Sequence, residues 1–449
     1  MIRLRVRDVD VYLRRVRTRI PFRYGKAEVT GQPYAHLRVR CEPEVTGVSA
    51  AALPPLWFDK RPGLTHEDTI RDLLRSIAIA SEVYRGASDG GAWTLHHSCE
   101  PEARRRAAAE GMNDLTAGFG VALLDAALID ASCRAAKMTF HEGLRDDLFG
   151  QGSYFGAIVP TRPLTRIAVR HTVGLSDPIT PEDVAAPLND GLPESLQEVI
   201  RTYKVRWFKI KLSGDVTASL DRLRRIAEVL DREAGDYEVT IDGNEQFHDM
   251  AEVADLAKKI RTRAWLENLW DRTAWIEQPV ERSMSLKPEV TAALKQIPKS
   301  VIIDESDDND AAVDLALSLG YRGISAKNCK GVFRTLHSYR RVQEKKAVLS
   351  SEDLMNIPVV PLHQDLCVAA ALGIPHSERN GHHYIRAFDY FSPKEREQAV
   401  KEFPELYDAG RPTVKVEGGV MDVRGINAVG FGVRSEPDWD FLEKVPSAT

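Results

Sequence analysis

The sequence predicts an α/β protein, a parallel barrel of eight strand–helix units preceded by an α+β region. Three observations carry this. From about Ile167 onward, short apolar strands alternate with amphipathic helical segments, the pattern of a parallel sheet. Some eight units occupy roughly 230 to 240 residues, which suits a closed barrel better than an open doubly wound sheet. Several of the strands also end in a charged residue, and the C-terminal ends of barrel strands are where ligands bind.

The elements follow in order. "LRVRDVDVYLRRVR" and "YAHLRVRCEP" alternate apolar and charged residues as half-buried strands do, and "IPFRYGKAEVTGQP" between them reads as a turn-rich loop. From Thr65 to about Lys137 the pattern turns helical, including "HEDTIRDLLRSIAIASEVY" and the small-residue run "GFGVALLDAALIDASCRAA". Helices after a small antiparallel sheet make an α+β domain. The barrel strands are then "RIAVRHTVG", "VRWFKIKL", "YEVTIDGN", "AWIEQP", "SVIIDES", "RGISAKN", "KAVLSSE" and a weaker one near "IPHSER". Segments such as "ASLDRLRRIAEVLDRE" and "DNDAAVDLALSLG" supply the helices between them. The tail, "TVKVEGGVMDVRGINAVGFGV", alternates again and is expected to pack back on the first domain. The expected boundaries are 1–155, 156–400 and 401–449.

Composition narrows the function. The 449 residues are 43% hydrophobic and 28% charged with a net charge of −5, so no global basic field points to nucleic acid or an anionic membrane. The first residues are too frequently charged for a secretory signal, and no apolar stretch approaches membrane-spanning length. Five cysteines without CxxC spacing imply a thiol-state cytoplasmic protein. No GxGxxG or phosphate-loop motif follows a strand, which disfavours nucleotide binding.

The third strand closes with Asp242, the fourth with Glu277, and the fifth with Asp304 and Glu305. Carboxylates gathered from adjacent strands repel one another in a partly dry site. An all-oxygen set suits a hard divalent cation, above all Mg²⁺, and the absence of His or Cys at these ends disfavours zinc. Lys209 and Lys211 share one face of the second strand, and Lys327 ends the sixth. A lysine side chain in water loses its proton only at about pH 10.4, so it is a poor base until repulsion or burial makes it a weaker holder of that proton. Lys211 is therefore read as the working base with Lys209 as its depressor, and Lys327 as base or acid on the opposite face.

These residues resemble the enolase superfamily, and more closely its muconate lactonizing enzyme-like (mandelate racemase/muconate lactonizing enzyme) subgroup. The matching motifs are "KIK" (Lys209, Lys211), "IDGN" (Asp242), "IEQP" (Glu277), "DES" (Asp304) and "SAKNCKG" (Lys327). The loops "IPFRYG" and "PPLWF" and the helix "GFGVALLDAALIDA" extend the likeness over nearly the whole chain. The resemblance implies a modified TIM barrel, (β/α)7β, capped by an α+β domain made from the N-terminal region and the C-terminal tail. It implies Asp242, Glu277 and Asp304 as ligands of one Mg²⁺ per subunit, with Mn²⁺ as a substitute. It implies Lys211 and Lys327 as the acid/base pair, a named case of such chemistry. Glu305, Asn244, Glu378 and Tyr24 are expected near the substrate or behind the ligands. The implied activity is abstraction of a proton α to a carboxylate through an ene-diolate, as in a racemase or epimerase, cycloisomerase or dehydratase of a small organic acid. A homo-oligomer is implied as well.

Departures from that pattern shape the expectations. The seventh strand offers Ser350, Ser351, Glu352 and Asp353 in place of a histidine, and Lys330 competes with Lys327 for its role. The segment 59–106 looks longer than a minimal cap. His96, His97 and Cys99 within it, and the pair His382 and His383, read as ordinary packed or exposed residues. Two other readings compete: a class I aldolase-like enzyme using Lys327 as a Schiff-base nucleophile, and a non-catalytic binding protein that kept the barrel.

Overall fold

The computed structural model describes residues 1–25 and 27–446. Strands β1 (Arg5–Tyr24), β2 (Ala27–Glu42) and β3 (Val45–Ala52) form an antiparallel sheet. The stretch expected as a loop is instead the tip of the β1–β2 hairpin, with a register shift between Arg17 and Phe22. Its alternation explains why: Phe22 and Tyr24 are buried while Arg23 is exposed, and Gly25 at φ +52° turns the chain.

Helices α1 (His66–Gly86) and α3 (Asp114–Ala136) back this sheet, and α2 (Ala92–Ala109) packs on both. Thr65 and Asp68 form a capping box at the start of α1. The segment "GGAWTLHHSCEPE" lies mostly in α2, where His96 Nδ1 lies 2.7 Å from Asp125 Oδ2. Helix α3 is buried on every face and is long and apolar enough to cross a membrane, yet its apolar window lies wholly inside the fold. Asp125 and Asp130 interrupt it in the sequence, which hid its length. Close approach fixes two glycines: a Cβ on Gly120 would lie 2.2 Å from Ser76 O in α1, and one on Gly47 of β3 would lie 1.9 Å from Ala127 O in α3. Asp130 then ties three segments together, accepting from Val48 N, Phe431 N and Arg134 Nε.

The barrel strands are β4 (Arg166–Val173), β5 (Trp207–Lys211), β6 (Glu238–Asp242), β7 (Thr273–Glu277), β8 (Ser300–Ile302), β9 (Gly323–Ala326), β10 (Val348–Ser351) and β11 (His376–Arg379). They are the eight read from the sequence, and their ladders are parallel in the order β8-β7-β6-β5-β4-β11-β10-β9. The Ile303–Ile324 bridge closes β8 onto β9. The fold is thus a modified TIM barrel with an α+β cap. The tail touches both parts: β12 (Val420–Asp422) pairs antiparallel with β4, and β13 (Glu443–Lys444) pairs with β1.

His363, on the helix Val360–Leu372, pins the tail, with Nδ1 2.7 Å from Gly432 O and Nε2 2.7 Å from Tyr407 Oη. Burial drives its pKa down to about 3, against the small upward pull of the Gly432 carbonyl. A depressed histidine pKa means that the unfolded chain binds more protons below pH 6.5, so the stability it contributes above that pH fades as pH falls toward 3. His363→Gln should flatten this acid limb, removing up to about 3 kcal/mol of the wild-type change between about pH 6.5 and pH 4.5 in urea titrations.

Candidate active site

The barrel interior is layered from its floor upward. At the floor, the His376 ring stacks on Trp207 at 3.8 Å and lies 5.7 Å from Trp275. Arg170, fully buried on β4, lies over Trp275 at 5.0 Å. Its guanidinium reaches His376 Nδ1 at 2.9 Å, and donates to Ser350 Oγ and Glu352 Oε1 at 2.6 Å each.

Above the floor, strand register brings the ionisable residues level. Lys211, Asp242 and Glu277 are direct partners across β5, β6 and β7. The Lys209 ammonium sits among four carboxylates, 2.7 Å from Glu277 and Glu352, 2.8 Å from Glu378 and 3.0 Å from Asp242. Burial alone would lower its pKa, but these neighbours outweigh it and hold Lys209 well above the ordinary lysine value. Lys327 donates to Asp304 Oδ1 at 2.7 Å and Glu352 Oε2 at 2.8 Å, and is held high in the same way. Lys211 donates to Asp242 Oδ2 at 2.7 Å. That same oxygen lies against Lys209, so a carboxylate stands between the two charges that the sequence set in opposition.

Lys330, the other lysine that the sequence offered, reaches the same Asp304 Oδ1 as Lys327, at 3.1 Å. It is buried beneath the cleft, donating to Asp304 O at 2.7 Å and Ser325 O at 2.8 Å, and so fixes the end of β8. Glu378, on β11, accepts from Thr172 Oγ1 at 2.6 Å as well as from Lys209. Glu305 is fully buried, 2.9 Å from Lys60 Nζ and 3.4 Å from Asn244 Nδ2. The His382–His383 pair is buried against His171 beside the last strand, with ring centroids 5.4 and 5.0 Å away.

The cleft over this layer is lined from the barrel by Lys209, Lys211, Asn244, Asp304, Lys327 and Glu378. The cap adds a largely apolar roof of Phe22, Tyr24, Val29, Pro54 and Trp57. Tyr24 Oη donates to Pro55 O at 3.2 Å, which joins the two capping loops. The Lys327 ammonium lies 5.3 Å from the centre of the Trp57 ring.

Oxygen atoms of Glu277, Asp304 and Glu352 lie within 4.8 Å of one another and could hold a metal ion. Burial, reinforced by Glu352, pushes the Glu277 carboxyl well above its usual range. Its Oε2 is buried without a hydrogen-bond partner, as are Glu305 Oε2 and Asn244 Oδ1. Unpaired buried acceptors are costly and call for a positive partner. An oxygen-only donor set suits a hard divalent cation, so the residues present fit one.

The structure brings all ten expected site residues to the mouth or directly behind it. Three further residues went unassigned in sequence. Glu352 ends β10 with an acid after "VLSS", the same signal as strands three to five. Arg170 stands inside the apolar run "RIAVRHTV". Lys60 gave no local signal.

No family model and no curated protein matches the sequence. Solved structures do match the fold. A dipeptide epimerase from Cytophaga hutchinsonii, complexed with Mg and D-Ala-L-Val, superposes with a TM-score of 0.67 at 14% identity over 99% of each chain. An enolase from Bradyrhizobium, complexed with magnesium and mandelic acid, gives 0.66 at 15% identity over 99% of this chain and 100% of the other. A 2-chloromuconate cycloisomerase from Rhodococcus opacus 1CP gives 0.64 at 15% identity over 97% and 98%. The chain thus has the fold of the mandelate racemase/muconate lactonizing branch of the enolase superfamily, as the sequence motifs implied.

Removing Arg170 would leave one oxygen of the buried Glu352 with only Ser350 as partner. Arg170→Met should cost about 3–5 kcal/mol in urea unfolding, the range for breaking a buried ion pair from one side.

Proposed function

We propose that this protein is an enolase-superfamily enzyme that removes the proton α to the carboxylate of a small organic acid, with Mg²⁺ as its cofactor. One observation carries the reading: two amines, Lys211 and Lys327, stand on separate strands of one barrel mouth beside a buried carboxylate cluster with unpaired oxygens. The ligand assignment deepens the sequence expectation. Glu277 and Asp304 remain ligands, Glu352 joins them, and Asp242 is engaged by Lys211 and Lys209 and lies at the edge of the set.

A cation bound there would stabilise charge developing on the substrate carboxylate and would lower the pKa of the neighbouring ammonium groups by repulsion. The protein's own groups do the rest. Lys211, as the neutral amine, takes the proton from Cα, and the Lys327 ammonium returns one or steadies the departing group. The Trp57 and Phe22 roof excludes water from the reacting carbon. A second opening beside Lys211, lined by Arg23, Arg222, Ser213 and Gln246 without a carboxylate, favours the approach of an anion.

The two amines are unlike. Lys327 has two carboxylate partners and an indole beside it, whereas Lys211 has one carboxylate and borders the open side. This asymmetry supports Lys211 as the base and Lys327 as the charge-stabilising partner. The Schiff-base alternative is disfavoured because ion pairs hold Lys327 as an ammonium, which is not a nucleophile.

Proton exchange in D₂O against a panel of carboxylic acids tests the activity. Lys211→Ala and Lys327→Ala should each lose about 10²–10⁴-fold or more in α-exchange on an accepted acid. Exchange near the wild-type rate in Lys211→Ala ends the assignment. Calorimetry should show Mg²⁺ binding that Glu277→Gln weakens.

A further inference from the structure

The capping loop that carries Trp57 is tied to the barrel by an ion-pair cluster outside the acid/base layer. Glu245, in the loop after β6, is its hub. It accepts from Lys60 Nζ at 2.5 Å, from Arg282 Nε at 2.8 Å and Nη2 at 2.9 Å, and from the backbone N of Arg282 at 2.9 Å. Lys60 also donates to Glu305 Oε1 at 2.9 Å. Arg282 goes on to the capping loop itself, donating to Phe58 O at 2.9 Å and Trp57 O at 3.1 Å.

This is more than a surface salt bridge. The side chains of Glu245 and Glu305 are 4% and 0% exposed, and each depends on Lys60 for compensation. Burial would raise the Glu245 carboxyl, yet Lys60 and Arg282 bring it down to about 2. The backbone is also held in an uncommon form: Asn244, Glu245 and Leu56 have φ of +42°, +66° and +57° without being glycine. Such residues persist where surrounding contacts overdetermine them. On its other side the loop is fixed to the cap, through Leu56 N to Thr69 Oγ1, Asn113 Nδ2 to Phe58 O, Tyr24 Oη to Pro55 O, and the Phe58–Phe119 ring contact.

We propose that Lys60, Glu245 and Arg282 form a latch that holds the 54–61 loop down on the barrel and so positions Trp57 over Lys327. They are positioning residues and do not touch the reacting atoms. Because Glu305 follows Asp304 in the chain, the same latch joins the roof to the strand end that carries a proposed metal ligand. Releasing it leaves the loop attached to the cap but free of the barrel, with the Lys327 side of the cleft opened to water. The kinetic consequence rests on the function proposed above; the structural one does not.

Amide hydrogen exchange on the full chain tests the latch, using Lys60→Met, Glu245→Gln and the conservative Lys60→Arg. Exchange of peptides covering residues 54–61 should quicken by about tenfold to a hundredfold in the first two variants, the scale of a lost charged hydrogen bond. Peptides from the barrel strands should keep their wild-type rates, and Lys60→Arg should stay close to wild type. On any acid that exchanges its α-proton, Lys60→Met should raise KM about tenfold with a much smaller change in kcat, since closure governs retention of substrate. Unchanged exchange at 54–61 in both Lys60→Met and Glu245→Gln overturns the proposal. So does an acceleration spread equally through the barrel strands, which would mark a general stabilising role. If no acid in the panel exchanges, the proposed function fails while the 54–61 rates still decide the latch.

Discussion

The barrel mouth depends on compensation of buried charge around the Lys209 ammonium. Eight short strands closing into a barrel force their inward side chains together, and four of those side chains are carboxylates meeting at one nitrogen. Without that nitrogen, Asp242, Glu277 and Glu352 would each be driven toward the neutral acid, as burial already drives Glu277. Lys209 is therefore the counter-charge that the four carboxylates share. It leaves unpaired oxygens at the edge of the cluster, where a second cation can add charge.

Glu352 connects this centre to the rest of the barrel. It is fully buried and shared among Arg170 below, Lys209 at the centre and Lys327 at the rim. Burial would raise its pKa, but the three cations hold it well below the usual range. The aromatic floor of Trp207, Trp275 and His376 keeps Arg170 dry, which strengthens its pull on Glu352. Floor, centre and rim are thus one electrostatic unit built from strands far apart in the chain.

Much of this was legible in sequence, because strand geometry is local. The alternation of "WFKIKL" put Lys209 and Lys211 on one face, and acids ending consecutive apolar runs marked the mouth. Glu352 follows the same rule in "VLSSE", where no motif of the family resemblance marks it. The glycine, proline and polar residues around Gly25 resemble turn chemistry, yet pairing between β1 and β2 overrides those propensities. Arg170 with Glu352, and Lys60 with Glu305, are separated by 182 and 245 positions. No spacing rule reaches across such gaps.

The cleft lies at a seam, which explains why its selectivity is the least legible feature. Gln32 and Tyr34 of β2 donate to the carbonyls of Leu354 and Met355 after β10, at 3.0 and 2.6 Å. Arg19 of β1 donates to His383 O beyond β11 at 3.1 Å, and Arg14 of the same strand pairs with Glu395 at 2.7 Å. The cap is thus stitched to the last barrel loops along one edge and latched to the third-to-fifth-strand loops through residues 54–61 along the other. A substitution in any of these loops shifts the roof relative to the lysines without touching either. The fixed chemistry resides in strand ends whose register the barrel dictates, whereas the shape a substrate meets is set by contacts between distant segments. Changes in the seam alone can therefore reshape the cleft while the charged layer of the barrel stays in place.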